Sequence, residues 1–167
     1  MIVDGTYTFA APVGRVFDLL LDPDVMAAAM PGAQDLKHVG DGRYEGVIRV
    51  GVGPVTAAEF SLVVTLKDVR RPEHYAMDID SKGRFGFTRG GANVDLSETD
   101  GGTTMRYRAD LQVGGKIAGV GQRLLDSISK LMTKQGLDAL SREMERRLRG
   151  AGSGERGPGS AAADRAP

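Results

Sequence analysis

The sequence predicts an α+β fold in which a curved antiparallel sheet of about seven strands wraps a long C-terminal helix, with two short helices after the first strand. Three observations predict it. Apolar residues alternate along successive segments between residues 2 and 113, the period of strands with one face in water. Two helix-like stretches follow the first of those segments. A long amphipathic segment, Lys116 to Arg149, closes the series, with Ile117, Val120, Leu124, Ile128 and Leu131 at steps of three and four. Leu137, Leu140, Met144 and Leu148 continue that stripe after Gln135-Gly136. If helical throughout, the segment spans ~50 Å at ~1.5 Å per residue. A helix of that length lying on a curved sheet encloses a space.

Residues 2–11 form the first expected strand, ending at Ala11-Pro12. Proline suits a helix start, and Val13, Val16, Phe17 and Leu20 then share a face. Asp22 can cap a second short helix with Pro23 in its first turn, and Met30-Pro31-Gly32 ends it. Strands follow at Leu36–Val39, at Tyr44–Val52 and at Thr56–Leu66, where Ala58, Phe60, Leu62, Val64 and Leu66 share one face. Gly53-Pro54 is a turn and 70–73 a loop. Tyr75, Met77 and Ile79 mark the next strand, and Ala92, Val94 and Leu96 another. Met105, Tyr107, Ala109, Leu111 and Val113 alternate against Arg106, Arg108, Asp110 and Gln112 along the last. Val113-Gly114-Gly115 is the hinge that lets the final helix fold back. Residues 1–149 are therefore one domain. Residues 150–167 hold no apolar side chain larger than alanine or proline and read as a disordered tail.

Bulk composition narrows the functional classes. Lys plus Arg equals Asp plus Glu at 22 each, which argues against nucleic acid as the main partner. The absence of cysteine removes disulfides, thiolate metal sites and cysteine nucleophiles. No signal peptide is expected from the first residues, and no apolar run approaches the ~20 residues of a membrane span. His38 and His74 lie far apart beside turns and read as surface histidines with no metal role. Asp78 and Asp80 flank Ile79 on one strand and should face solvent. No Gly-x-Ser-x-Gly nucleophile elbow occurs. No catalytic set and no metal site is therefore nominated.

Four stretches carry a family resemblance: Asp22-Pro23-Asp24-Val25-Met26-Ala27-Ala28-Ala29-Met30-Pro31-Gly32, Gly51-Val52-Gly53-Pro54-Val55, Gly90-Gly91-Ala92-Asn93-Val94, and Gln112-Val113-Gly114-Gly115-Lys116-Ile117-Ala118 running to Gly121-Gln122-Arg123-Leu124-Leu125-Asp126. With the element order, they resemble the family of the carbon monoxide dehydrogenase G subunit, within the START-like (SRPBCC) helix-grip superfamily related to Bet v 1-like proteins. Relatives often carry cysteine around the Pro-Gly corner, where Ala29 and Ala33 stand here, and some extend into a hydrophobic C-terminal anchor that this tail lacks. The resemblance implies service to a molybdenum-dependent carbon monoxide dehydrogenase or related hydroxylase. It also implies a cytoplasmic protein peripheral to the inner face of the cell membrane.

The inward faces supply a candidate ligand cavity of Phe17, Leu20, Met26, Met30, Val50, Phe60, Leu62, Met77, Phe85, Phe87, Met105, Tyr107, Leu124, Ile128, Leu131 and Met132. Such walls bind by burial, with a few polar groups setting orientation. The Tyr107 phenol, placed among inward residues, would bond either a structural partner or a ligand carbonyl. The glycine-rich stretch Gly83–Gly91 is either a ligand-touching flap bearing Phe85 and Phe87 or a hairpin with its aromatics in the core. Arg142, Arg146, Arg147 and Arg149 could dock on membrane or partner, or be ordinary helix-terminal cations. The expected function is a non-enzymatic carrier of a quinone or other isoprenoid lipid, with that ligand and no metal as its bound group. An adaptor that recruits or matures the dehydrogenase is the alternative, and a cyclase or hydrolase ranks last.

Overall fold

The computed structural model describes residues 1–52 and 55–154. The elements run β1 (Ile2–Phe9), α1 (Val13–Leu20), α2 (Pro23–Ala28), β2 (Ala33–Gly40), β3 (Arg43–Val52), β4 (Val55–Arg70), β5 (His74–Gly83), β6 (Gly86–Thr99), β7 (Gly102–Gly114), a 3-10 segment (Gly115–Val120) and α3 (Gln122–Gly154). The expected turn at Gly53-Pro54 lies outside the described residues.

All seven strands form one sheet in the order β1-β7-β6-β5-β4-β3-β2, every neighbouring pair antiparallel. β1 and β2 occupy opposite edges, roughly 29 Å apart across a flat sheet of this width. The connection between them must therefore cross the sheet, and α1 and α2 make that crossing. α1 packs on β6 and β7, while α2 packs on β2 and α3. Register shifts at Gln34/Lys37, Val50/Val52 and Lys67/Arg70 bend the outer strands, as bulges do.

Local chemistry explains the helix starts. The Asp22 carboxylate accepts from the Asp24 and Val25 amides at 2.9 and 3.4 Å, and Pro23 occupies the first turn. Pro12 precedes Val13, and its carbonyl takes the first helical bond from the Val16 amide at 3.0 Å. Arg71 holds α1 to the β4–β5 turn through two 2.8 Å bonds to Asp18, which keep that carboxyl below its ordinary pKa.

The long C-terminal element differs from the continuous helix expected over Lys116–Arg149. It opens as a 3-10 segment, bounded by Gly115 and Gly121 at φ +78° and +94°, which favour glycine. A 3-10 turn takes about 3.0 residues against about 3.6 for an α-turn. Six residues of it therefore break the helical phase between Ile117 and the residues of α3. The stripe that meets the protein from α3 runs Leu125, Ile128, Met132, Gly136, Leu140 and Met144, not through Leu124 and Leu131. α3 also continues to Gly154, beyond the expected boundary at 149; residues 155–167 lie outside the described residues.

The core sits in two clusters flanking a gap. The larger joins α1, β1, the middle of β5–β7 and the distal half of α3, with Phe17, Tyr75, Leu96, Met105, Leu140 and Met144 among its members. The smaller joins Met26 of α2 to Leu36, Tyr44, Leu62 and Val64 of β2–β4. Arg147 closes the α2–α3 seam. Its guanidinium lies 3.6 Å from Asp22, 3.4 Å from Asp24 and 3.0 Å from Glu143.

Glu143 sits between Arg146 and Arg147, whose hydrogen bonds pull its carboxyl from the usual 4.5 down to about 2. A depressed carboxylate contributes stability that is complete above the unfolded pKa and is lost as pH falls through the folded one. Glu143→Gln is therefore expected to abolish the part of the acid destabilisation that falls between about pH 4.5 and 2. Thermal melts of both proteins across that window measure the difference, and identical acid limbs would refute the assignment.

Candidate functional site: a two-chambered apolar cavity

Between the concave sheet and α3 lie two chambers. The inner one, about 260 Å³, is walled by Val25, Met26 and Met30 around α2, by Tyr75, Met77, Val94, Met105 and Tyr107 from the sheet, and by Gly136, Leu137 and Leu140 of α3. The outer one, about 350 Å³, is walled by Val50, Phe60, Leu62, Leu111 and Val113, with Ile117 of the 3-10 segment and Leu125, Ile128 and Met132 of α3. Val3, Ala29, Met30, Ile79, Ala109 and Thr133 border both, so the two chambers adjoin. The outer one by itself, at about 350 Å³, falls in the range of roughly 300–1,000 Å³ typical of small-molecule sites.

Strand alternation builds these walls. Met77 on β5 faces inward, which brings Tyr75 and Ile79 with it; Met105 on β7 brings Tyr107, Ala109, Leu111 and Val113. The polar atoms are few. Ser81, Thr88, Ser129 and Thr133 contribute hydroxyls along the outer chamber; the inner one has two phenols, Thr133 again and, at its border, Arg108, which pairs with Asp4 at 3.5 Å. Tyr75 is 4 % exposed, and burial raises its pKa far above the ordinary tyrosine value. Burial and, secondarily, Asp4 raise that of Tyr107. Both are therefore neutral donors. Neither hydroxyl has a hydrogen-bond partner among the described residues, whereas Tyr44 donates to the Leu21 carbonyl at 2.6 Å. Tyr107 lies across Gly5, its register partner on β1: a Cβ there would come within 2.5 Å of the phenol oxygen.

Of the residues expected to line a cavity, Leu20, Met26, Met30, Val50, Phe60, Leu62, Met77, Met105, Tyr107, Ile128 and Met132 do so. Five do not. Phe17, 2 % exposed, is spent in the core, where its ring meets Tyr75 edge-on at 5.8 Å. Leu124 and Leu131 are 37 % and 56 % exposed: at ~100° per residue they lie about 40° and 60° round α3 from Ile128, on the side away from Leu125 and Met132. The Gly83–Gly91 stretch is no flap: Gly83 and Gly86 pair across a tight turn, and Gly90 and Gly91 pair within the sheet. Phe85 sits in that turn. Phe87 has the outward parity of β6 and lies under the Arg89 guanidinium at 5.1 Å.

The histidines and arginines also sort differently from expectation. His38 is exposed and stacks on Tyr44, but His74 is only 9 % exposed. Its Nδ1 is 2.7 Å from Asp95 and its Nε2 is 3.3 Å from Asp68, so outer-face carboxylates cover it. Asp78 faces solvent beside Lys67, while Asp80 is partly covered, with one carboxyl oxygen out of contact with solvent and partners. Arg146 and Arg147 are committed to intramolecular ion pairs, and Arg142 and Arg149 are exposed. Sequence reasoning missed Tyr75, Leu125, Leu137 and Leu140 as wall residues. Strand parity with Met77 was signal enough for Tyr75, and the stripe shared with Ile128 was enough for Leu137 and Leu140; Leu125 depends on how α3 packs on the sheet.

A seven-stranded antiparallel sheet gripping a long C-terminal helix around an apolar interior is the helix-grip architecture of the START-like superfamily. A START superfamily protein from Mycobacterium smegmatis superposes with TM-score 0.66 at 9 % identity, over 87 % of this chain and 97 % of that one. A conserved protein from Geobacillus kaustophilus superposes at TM-score 0.80 and 24 % identity, over 87 % and 96 % of the two chains. These similarities concern the fold. Among curated proteins none is significantly similar. Residues 5–145 match the family of the carbon monoxide dehydrogenase G subunit (CoxG), and the chain belongs to that family. Among the described residues no helix is long and apolar enough to cross a membrane, and no group of three or more His, Cys, Asp or Glu is placed to hold a metal.

Proposed function

We propose that this protein is a non-enzymatic carrier. It takes a membrane quinone or other isoprenoid lipid into the two-chambered cavity and so serves electron transfer from a molybdenum-containing carbon monoxide dehydrogenase. The observation that carries this reading is the pair of adjoining apolar chambers between sheet and α3, the inner of which holds two unpartnered phenols. Both phenols line the inner chamber as neutral donors, so a ligand with carbonyl oxygens would be oriented head-inward by Tyr75 and Tyr107. Its tail would lie in the outer chamber against Phe60, Ile128 and Met132. The partner follows from the family name: a peripheral dehydrogenase must pass electrons to an acceptor that resides in the bilayer, and a cavity protein at the cytoplasmic face of the membrane bridges that gap. Binding is favoured over catalysis because no carboxylate or histidine lines either chamber among the described residues.

Organic extraction of protein purified from a quinone-containing host, followed by mass spectrometry, is expected to recover a quinone in near-stoichiometric amount. Ile128→Trp, which fills the outer chamber, should reduce recovery at least tenfold while leaving the dehydrogenase interaction intact. Protein free of any lipid would argue against carriage. An empty cavity with undiminished dehydrogenase binding would instead favour the adaptor role.

A further inference from the structure

We infer that the 3-10 segment and the first three turns of α3, residues 115–134, form the surface that seats on an anionic phospholipid bilayer. The inference rests on the carrier reading for its purpose, though not for its geometry. Lys116, Arg123, Lys130 and Lys134 are all exposed, and none has an ion-pair partner among the described residues. Asp126 is the sole acid in the stretch 116–134, and it accepts from the Gln122 amide at 2.8 Å. On the adjoining β5–β6 turn, Arg84 is also exposed, and Phe85 of that turn accepts the Ile117 amide at 2.7 Å. The turn and the segment are thus one cationic rim.

The order of side chains around α3 makes the case. Arg123, Lys130 and Lys134, at steps of seven and four, share the outermost face. The next arc carries Leu124 and Leu131, the two exposed leucines. The arc after that carries Ile128, which lines the outer chamber. Passing round the helix, one meets cations, then exposed apolar side chains, then the cavity wall. The exposed leucines are thus the helical neighbours, at steps of four and three, of a residue that lines the cavity. That sequence suits an interfacial helix, whose cations meet lipid phosphates while its leucines enter the acyl boundary. Side chains at Gly119 or Gly121 would meet nothing within 4 Å, so no other described part of the chain covers the segment there.

The distal arginines are a poorer match to the same partner. Arg147 is held by Asp22, Asp24 and Glu143, and Arg146 by Glu143, so their charges are already compensated. Seating through the rim also places the outer chamber, and not the well-packed end of α3, against the bilayer.

Flotation of the full chain with vesicles tests this. The wild type is expected to bind phosphatidylglycerol–phosphatidylcholine vesicles, to ignore pure phosphatidylcholine, and to release at high salt. The triple variant Arg123→Glu/Lys130→Glu/Lys134→Glu should lose more than about a hundredfold in partitioning. Leu124→Ser/Leu131→Ser should weaken binding to the same vesicles while leaving its salt dependence. Arg142→Glu/Arg149→Glu should bind as wild type. All of these positions are exposed, and circular dichroism verifies folding. No preference for anionic vesicles, a triple variant that binds normally, or loss only in the distal pair would overturn the assignment. Vesicle binding is read without quinone, and uptake of a quinone from detergent micelles is read without vesicles. Failure of the docking surface and failure of the carrier reading therefore give separate results.

Discussion

Phe17→Ala is expected to cost about 3–5 kcal/mol of folding free energy, the range for a large aromatic removed from a close-packed site. The side chain is 2 % exposed and lies where α1, β5 and the distal half of α3 meet. Its ring contacts Tyr75 edge-on at 5.8 Å, an arrangement that adds to simple burial. α1 has only eight residues, so packing and not helix propensity holds it in place. For a domain whose total stability is about 5–15 kcal/mol, the loss leaves little or nothing. Urea denaturation measures it. A near-native midpoint with selective loss of bound lipid would return Phe17 to the cavity wall.

Gly136→Ala is expected to destabilise by about 2–3 kcal/mol, although alanine is the better helix former by about 1 kcal/mol. The sign is decided by what lies opposite. A Cβ at residue 136 would stand 2.4 Å from the Ala29 carbonyl oxygen, a backbone atom that no side-chain rotation can move aside. α3 would have to lift from the turn after α2. That seam borders both chambers through Ala29 and is closed further along by Arg147, so the variant should also lose ligand. Gly119→Ala, where a Cβ meets nothing, is the matched control and should be neutral. Equal denaturation midpoints for the two variants would remove the close-contact argument.

Particular residues show why some of the site is legible in the chain and some is not. Strand faces obey a period of two that does not depend on neighbours. Alternation alone therefore places Phe60, Leu62, Met77, Met105 and Tyr107 inward, where the structure has them. Leu124 and Leu131 defeat the same approach because a helical stripe is broad, and which of its edges meets the sheet is set by packing, not by spacing. Gly114-Gly115 announces a hinge, but nothing in a residue list says that the next six residues wind as a 3-10 segment. Phe87 reads as an inward aromatic only while the glycine-rich stretch is taken as a flap; once β6 runs unbroken from Gly86, parity with Ala92, Val94 and Leu96 puts it on the outer face beside Arg89. His74 reads as a surface residue until Asp95 arrives beside it across the β5–β6 pair.

By itself the sequence determined the element order, the antiparallel sheet, the two short helices and the apolar character of the interior. All of these follow from periodicities and caps confined to a few neighbouring residues. The tertiary structure decided which face of α3 lines the cavity and which apolar side chains are core instead of wall. It also decided which arginines are free to meet a partner. These depend on relative rotation and on contacts between residues far apart in the chain, such as Gly136 with Ala29 and Arg147 with Asp22. Local pattern carries no information about them until the sheet has closed on the helix.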